Sequence, residues 1–146
     1  DRGDRDERRV AVDGAREGGA STGILAVTVL TSFDDAAYAA ATLNPGVRAA
    51  YAVAQYAAMA ARAGARGVVC AGAEAAAVRR EHGAGFGTLV PGLRAAGGAT
   101  HDQARVATPA EVRAAGATWV VVGRMVTAAA DPASAYAGAV AALRGA

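Results

Sequence analysis

Gly87-Thr88-Leu89-Val90-Pro91-Gly92-Leu93-Arg94 is the most informative segment of this sequence, together with Trp119-Val120-Val121-Val122-Gly123-Arg124 about thirty residues later. Each begins with a short, β-rich apolar run and ends in turn residues and an arginine. Short apolar runs bounded by turn residues are typical of buried parallel strands. An α/β barrel builds its site from polar groups just past the C-terminal ends of such strands. The two stretches therefore predict parallel strands with a candidate site at their C-terminal ends.

Four residues near these strand ends have the chemistry to bind a phosphate ester: Arg94, Gln103, Gly123 and Arg124. Guanidinium groups present paired N–H donors that match phosphate oxygens. A carboxamide adds another donor, and a glycine lets backbone N–H groups approach a ligand closely. The pattern indicates recognition of a phosphorylated small molecule.

Strand and helix patterns alternate four times along the chain, which favours an α/β fold with parallel strands and right-handed crossovers. The predicted strands are Ile24–Leu30, Gly67–Cys70, Gly87–Val90 and Trp119–Val122. A complete eight-fold barrel needs roughly 200 residues or more. The 146 residues of this chain therefore correspond to about four β/α units, half of a barrel. Such a half has two unpaired strand edges, which recruit other chains.

Helix boundaries have their own signals. Asp34 and Asp35 suit a helix N-terminus, and Asp131-Pro132 is expected to open the terminal helix. Thr108-Pro109-Ala110-Glu111 combines an N-cap, a proline at the first helical position and a capping-box acid. The remaining helices are predicted over 10–17, 47–63 and 73–82.

Composition and charge narrow the class of protein. A hydrophobic content of 53% with 19% charged residues indicates a globular chain. The net charge of +2 is too small to argue for a nucleic-acid partner, even with a pI near 9.1. Apolar stretches break well before the ~20 residues of a membrane span, and no signal-peptide pattern is present. The single cysteine, Cys70, gives no disulfide framework and fits a reducing cytoplasm.

Several motifs stand in one order: I-L-A-V-T-V-L-T-S at 24–32, P-G-L-R at 91–94, D-Q-A-R at 102–105, T-P-A-E at 108–111 and V-V-V-G-R at 120–124. In this order and spacing they resemble the C-terminal half of orotidine 5'-phosphate decarboxylase. The resemblance implies the C-terminal half of a TIM (β/α)8 barrel over residues 10–146. Residues 1–9 do not match the family, and their dense alternating charges predict a charged tail. It also implies a cytoplasmic homodimeric carboxy-lyase that converts orotidine 5'-phosphate (OMP) to UMP and carbon dioxide in de novo pyrimidine synthesis, without metal or organic cofactor.

The resemblance also assigns roles to individual residues. Arg94 is expected to contact the phosphate or ribose side of the nucleotide, and Gln103 the phosphate. Gly123 and Arg124 follow the last strand, where the phosphate sites of such barrels lie. Thr31 ends the first strand and is expected near the pyrimidine, although a threonine there also suits a helix cap. The family usually has glycine at the position of His101, and proline at those of Ala95 and Met125, which leaves the rigidity of these loops open.

The catalytic centre of the family is missing from the sequence. That centre is an alternating array of the form D-x-K-x-x-D on the third barrel strand, which would lie upstream of Asp1. This chain contains no lysine, and all fifteen of its basic residues are arginine. No catalytic residue is therefore assigned, and no zinc spacing, P-loop or nucleophile elbow occurs.

Two alternatives stay open. The chain is a non-catalytic phosphate-binding or oligomerisation module from a truncated or split gene, or it comes from another sugar-phosphate barrel enzyme. The absence of lysine favours the first for the isolated chain. The L-T-S and D-Q-A-R motifs argue against the second.

Overall fold

A computed structural model of the chain describes residues 7–19, 21–95 and 104–145. It contains four strands: β1 (Leu25–Val27), β2 (Gly67–Val69), β3 (Gly87–Val90) and β4 (Trp119–Val120). The helices are α1 (Glu7–Glu17), α2 (Asp35–Ala41), α3 (Ala49–Arg62), α4 (Gly72–His82), α5 (Pro109–Ala114), α6 (Arg124–Thr127) and α7 (Pro132–Arg144). The predicted alternation of strands and helices is confirmed.

The four strands form one sheet in the order β1-β2-β3-β4, and all three neighbouring pairs are parallel. Sequential strands are therefore spatial neighbours. The C-terminal ends of the strands meet at one edge of the sheet, so that the segments after β1, β3 and β4 lie near one another. This is the arrangement expected of four successive β/α units.

Three strands are shorter than the sequence predicts, and β2 is the least affected because it ends at Val69 rather than Cys70. The apolar run Ile24–Leu30 contributes only three residues to β1, although the Thr28 N–H and hydroxyl still donate to the Val69 carbonyl, at 3.2 and 2.7 Å. The chain then turns, and the Phe33 N–H donates to the Leu30 carbonyl at 3.0 Å. Similarly, β4 ends at Val120 rather than Val122. Of the apolar residues beyond the ladder, Val29 is buried, whereas Leu30 and Val121 are exposed.

Three helices begin at caps that the sequence indicates. The Asp34 carboxylate accepts from the Ala37 N–H at 2.7 Å, and Asp131 accepts from the N–H groups of residues 133 and 134 at 3.1 Å each. At α5 the capping box is complete, because the Thr108 N–H donates to Glu111 at 2.7 Å and the Glu111 N–H donates back at 3.2 Å. The other predicted helices lie within three residues of their predicted bounds, whereas the single turn α6 was not predicted.

The core lies between the sheet and helices α3, α4 and α5. Its most buried larger side chains are those of Val53, Val68, Cys70, Val90, Leu93 and Val112. By contrast, apolar side chains on or near the two outer strands are exposed: Val27 at 61%, Val121 at 45% and Trp119 at 37%. The sheet is thus covered on its helical side and leaves apolar surface uncovered at β1 and β4.

Candidate functional site

A cavity of about 210 Å³ lies at the C-terminal ends of the strands. It is an open cavity bordered by the segments that follow β1, β3 and β4, and its lining residues are Thr31, Pro91, Gly92, Arg94, Val121, Gly123 and Arg124. The structure therefore brings together four of the five residues that the sequence singles out. The fifth, Gln103, lies outside the described residues. Among the described lining residues the charged ones are both arginines.

Arg94 is held by the backbone around it. Arg94 is only 6% exposed. Its Nη1 donates to the Leu93 carbonyl at 2.7 Å, and its backbone N–H donates to the Ala107 carbonyl at 3.0 Å. The turn that brings the chain back needs the glycine at 92, whose φ of +76° is strained for other residues. A buried guanidinium at a cavity wall is a preformed donor for an anion because little side-chain freedom is left to lose.

Gly123 and Arg124 line the cavity where β4 passes into α6. A Cβ atom built on Gly123 would meet no atom of the described residues within 4 Å, so the space beside its backbone is open. The carbonyl of Gly123 accepts from the N–H groups of Val126 and Thr127, at 2.9 and 3.1 Å, which fixes the turn that carries Arg124. Two arginines about thirty residues apart in the chain therefore line one small cavity.

Thr31 completes the cavity from the β1–α2 connection and is 8% exposed. Its carbonyl accepts from the N–H groups of Ala104 and Arg105, both at 3.0 Å. The helix-cap role that a threonine here also suited belongs instead to Asp34. Thr31 is thus placed at the cavity and is not the cap of α2.

Arg105 and Glu74 lie behind this segment, and sequence reasoning gave neither a role at the site. The Arg105 Nη1 donates to the Glu74 Oε1 at 2.5 Å, with side chains 15% and 10% exposed. Its Nε donates to the Phe33 carbonyl at 2.9 Å, and its Nη2 contacts the carbonyls of Val29 and Leu30 at 3.0 and 3.2 Å. The only sequence signal was the final arginine of the D-Q-A-R motif.

Cys70, near the C-terminal end of β2, has the character of a core residue. Its side chain is fully buried. Burial, and secondarily the Glu74 carboxylate, raise the pKa of the Cys70 thiol to about 12, so the thiol stays protonated at neutral pH. The described residues contain no group of three or more His, Cys, Asp or Glu side chains that would suit a metal ion. In the same part of the chain, no helix has the length and hydropathy to cross a membrane.

Comparison with known proteins connects this arrangement to a family. The model of the family described as "Orotidine 5'-phosphate decarboxylase / HUMPS family" matches residues 9–139. A protein from Thermobifida fusca named orotidine 5'-phosphate decarboxylase is 48% identical over 135 residues, which is 92% of this chain and 55% of that protein. One of the same name from Anaeromyxobacter dehalogenans is 52% identical over 127 residues, 87% of this chain and 54% of that protein.

A solved structure agrees with these relatives. The crystal structure of orotidine 5'-phosphate decarboxylase from Lactobacillus acidophilus superposes with a TM-score of 0.72 at 31% identity, covering 93% of this chain and 57% of that one. The chain thus spans about half the length of the curated relatives it matches. It belongs to the orotidine 5'-phosphate decarboxylase / HUMPS family, with a fold that is about half of that family's TIM barrel.

Proposed function

We propose that this chain is the phosphate- and substrate-binding C-terminal half of an orotidine 5'-phosphate decarboxylase, which converts OMP to UMP and carbon dioxide. The observation that carries the proposal is the meeting of Arg94 and Arg124 in one cavity at the C-terminal ends of β3 and β4. A buried arginine, Arg94, and an exposed one, Arg124, lining a small volume suit a dianionic phosphate better than a neutral or cationic ligand. The names of the relatives supply the nucleotide.

Within this proposal each residue has a distinct role. Arg94 and Arg124 donate to phosphate oxygens, and Gln103 adds amide donors. Gly123 leaves room for the ligand against the backbone, and Thr31 lies on the side of the pyrimidine. Phosphate contacts far from the reacting carbon supply binding energy that is realised in the transition state.

The reacting groups belong to the other half of the barrel. In this family a lysine ammonium stabilises the developing carbanion at C6 and protonates it, with carboxylates around it. This chain contains no lysine, so the proton donor has to come from another part of the barrel. Arginine holds its proton too tightly to replace lysine in that role. We therefore assign this chain binding and orientation of the nucleotide, and no catalytic residue, metal or cofactor.

The exposed apolar residues of the outer strands indicate that this half of the barrel pairs with further strands. Val27 and Val121 are 61% and 45% exposed, and uncovered strand edges recruit further strands. We propose that the edges pair with the N-terminal β/α units of the same barrel or with a second copy of this chain, and that the complete protein is a homodimer. The single buried cysteine fits a location in the reducing cytoplasm.

A titration of the purified chain with UMP and with uridine tests the proposal. We expect UMP to bind, more weakly than to a complete barrel, and uridine to bind hardly at all, since only UMP carries the phosphate. Inorganic phosphate should compete with UMP. Equal affinities for UMP and uridine would contradict the assignment of this cavity to phosphate.

A further inference from the structure

The connection between β1 and α2 has no regular structure from Thr28 to Asp34, yet it carries Thr31 at the cavity. Backbone carbonyls in such a segment need donors from elsewhere in the fold. Arg105 supplies them, since its guanidinium donates to the carbonyls of Val29, Leu30 and Phe33 and its backbone N–H donates to that of Thr31. A single residue therefore binds four carbonyls of this segment.

Glu74 fixes the guanidinium that makes these bonds. It stands in the first turn of α4, and its neighbours Ala75 and Val78 on that helix are buried in the core, at 0% and 3% exposure. The close ion pair with Arg105 therefore anchors the segment between β1 and α2 to α4, a firmly packed helix. The start of α4 is also tightly packed, because a Cβ built on Gly72 would lie 2.6 Å from the Cβ of Ala107.

The charges of the pair cancel, and neither side chain is among the described residues that line the cavity. Through Nε, Nη1 and Nη2, Arg105 directs four of the five N–H groups of its guanidinium to protein acceptors. Its effect on a ligand is therefore exerted through the position of Thr31 and not through direct contact. In this respect Arg105 differs from Arg94 and Arg124.

We propose that Arg105 and Glu74 act as a positioning pair that holds the Thr31 segment against the arginine-lined cavity, so that breaking the pair weakens phosphate binding from outside the site. This inference rests on the proposed binding of phosphate at that cavity. It assigns to the arginine of the D-Q-A-R motif a role distinct from ligand contact.

Substitution of Glu74 distinguishes a positioning role from a simple electrostatic one, because the two predict opposite changes in phosphate affinity. Removing a carboxylate near an anion site should strengthen phosphate binding if only charge matters. If Glu74 positions Arg105, Glu74→Met should instead weaken the binding of inorganic phosphate and of UMP by about fivefold or more, since an unpaired buried arginine no longer holds the segment. Glu74→Gln keeps an acceptor for Arg105 and should have a smaller effect. Unchanged or tighter binding by Glu74→Met would overturn the proposal.

Amide hydrogen exchange of the 146-residue chain gives a second readout that does not depend on ligand binding. In Glu74→Met and Arg105→Lys, exchange should accelerate by about tenfold at the Phe33 and Ala104 amides, which donate to the Leu30 and Thr31 carbonyls. It should stay unchanged at the Ala117 amide, which donates to Val112 at the end of α5. Equal acceleration at all three amides would mark general destabilisation and would overturn the proposal.

Arg79→Met is the matched control. Arg79 also lies on α4 and donates to a backbone carbonyl, that of Gly116 at 3.2 Å, but at the other end of the helix. Its substitution should leave phosphate affinity and the exchange of the Phe33 amide unchanged. If the unsubstituted chain binds neither phosphate nor UMP, the proposed function fails, and the exchange pattern alone then decides whether the pair positions the segment.

Discussion

The indole ring of Trp119 packs directly over Gly87 on the neighbouring strand: a Cβ atom built on Gly87 would lie 2.3 Å from Cζ3 of the ring. Arg66, which directly precedes β2, contacts the same ring: its guanidinium carbon lies 5.9 Å from the ring centroid. The large aromatic side chain at the start of β4 is thus accommodated only because β3 begins with glycine. This contact couples the last strand of the sheet to its neighbour.

Gly87→Ala is therefore expected to destabilise the chain. The added methyl group has to displace the Trp119 ring, and overpacking of this kind costs about 1–3 kcal/mol. Gly85→Ala, two residues earlier, is the control, because a Cβ there meets no described atom within 4 Å. Urea unfolding, followed by tryptophan fluorescence, measures the stability of both variants. Equal urea midpoints for Gly87→Ala and Gly85→Ala would show that the Trp119 contact does not constrain the sheet.

The isolated chain should have no decarboxylase activity. No lysine is present to protonate the carbanion at C6, and the arginines hold their protons too tightly to substitute for it. Conversion of OMP to UMP by the purified chain, followed by the loss of the orotate absorbance, checks this. A rate clearly above that of the buffer would contradict the division of roles between the two halves of the barrel.

Arg124→Ala should weaken UMP binding by roughly 1.5–3 kcal/mol, the range for hydrogen bonds to charged groups. Arg124 lines the same cavity as Arg94, so its loss removes one of the two guanidinium groups proposed to hold the phosphate. Arg80→Ala removes the same charge from an exposed position on α4 and serves as the control. Calorimetric titration should show the loss only in Arg124→Ala. An equal loss in both variants would indicate a diffuse effect of net charge.

The sequence was sufficient to predict the convergence of Arg94 and Arg124, because parallel strands bring their C-terminal ends to one edge of the sheet. The same reasoning placed Thr31 at that edge. The Arg105–Glu74 pair was not predicted, since Glu74 on α4 and Arg105 in the segment before α5 stand 31 residues apart with no local pattern between them. The single turn α6 was missed for a related reason: four residues are too few for a helical period to appear.

The stability supplied by the α5 capping box should depend on pH. Hydrogen bonds from the Thr108 backbone N–H and hydroxyl lower the pKa of Glu111 below its ordinary value of 4.5. A carboxyl group whose pKa is lower in the folded state stabilises the fold above its unfolded pKa, and this contribution is lost as the pH falls through the folded value. The chain should therefore exceed the Glu111→Gln variant in free energy of unfolding by the largest amount at pH 7. This difference should shrink below about pH 4.5. A difference that is constant from pH 7 to pH 3 would contradict this.

The isolated chain should self-associate at micromolar concentration. Val27, Leu30 and Val121 are 61%, 55% and 45% exposed on or just beyond the outer strands. An apolar cavity of about 520 Å³ also lies along β1, lined mainly by aliphatic and aromatic side chains. Uncovered edges and apolar surface of this kind favour pairing with another chain.

The competing outcome is a monomer in which the N-terminal segment covers the open surface. Helix α1 packs through Val12, which is 5% exposed and lies near Gly64 at the end of α3, and it leaves Val27 and Val121 uncovered. Sedimentation velocity distinguishes the two outcomes. We expect dimers or larger species whose fraction rises with protein concentration, and Val27→Asp with Val121→Asp should shift them towards monomer by placing charge on the surface that pairs. A monodisperse monomer with a cooperative thermal transition would show that half a barrel is stable with its outer strands exposed to water.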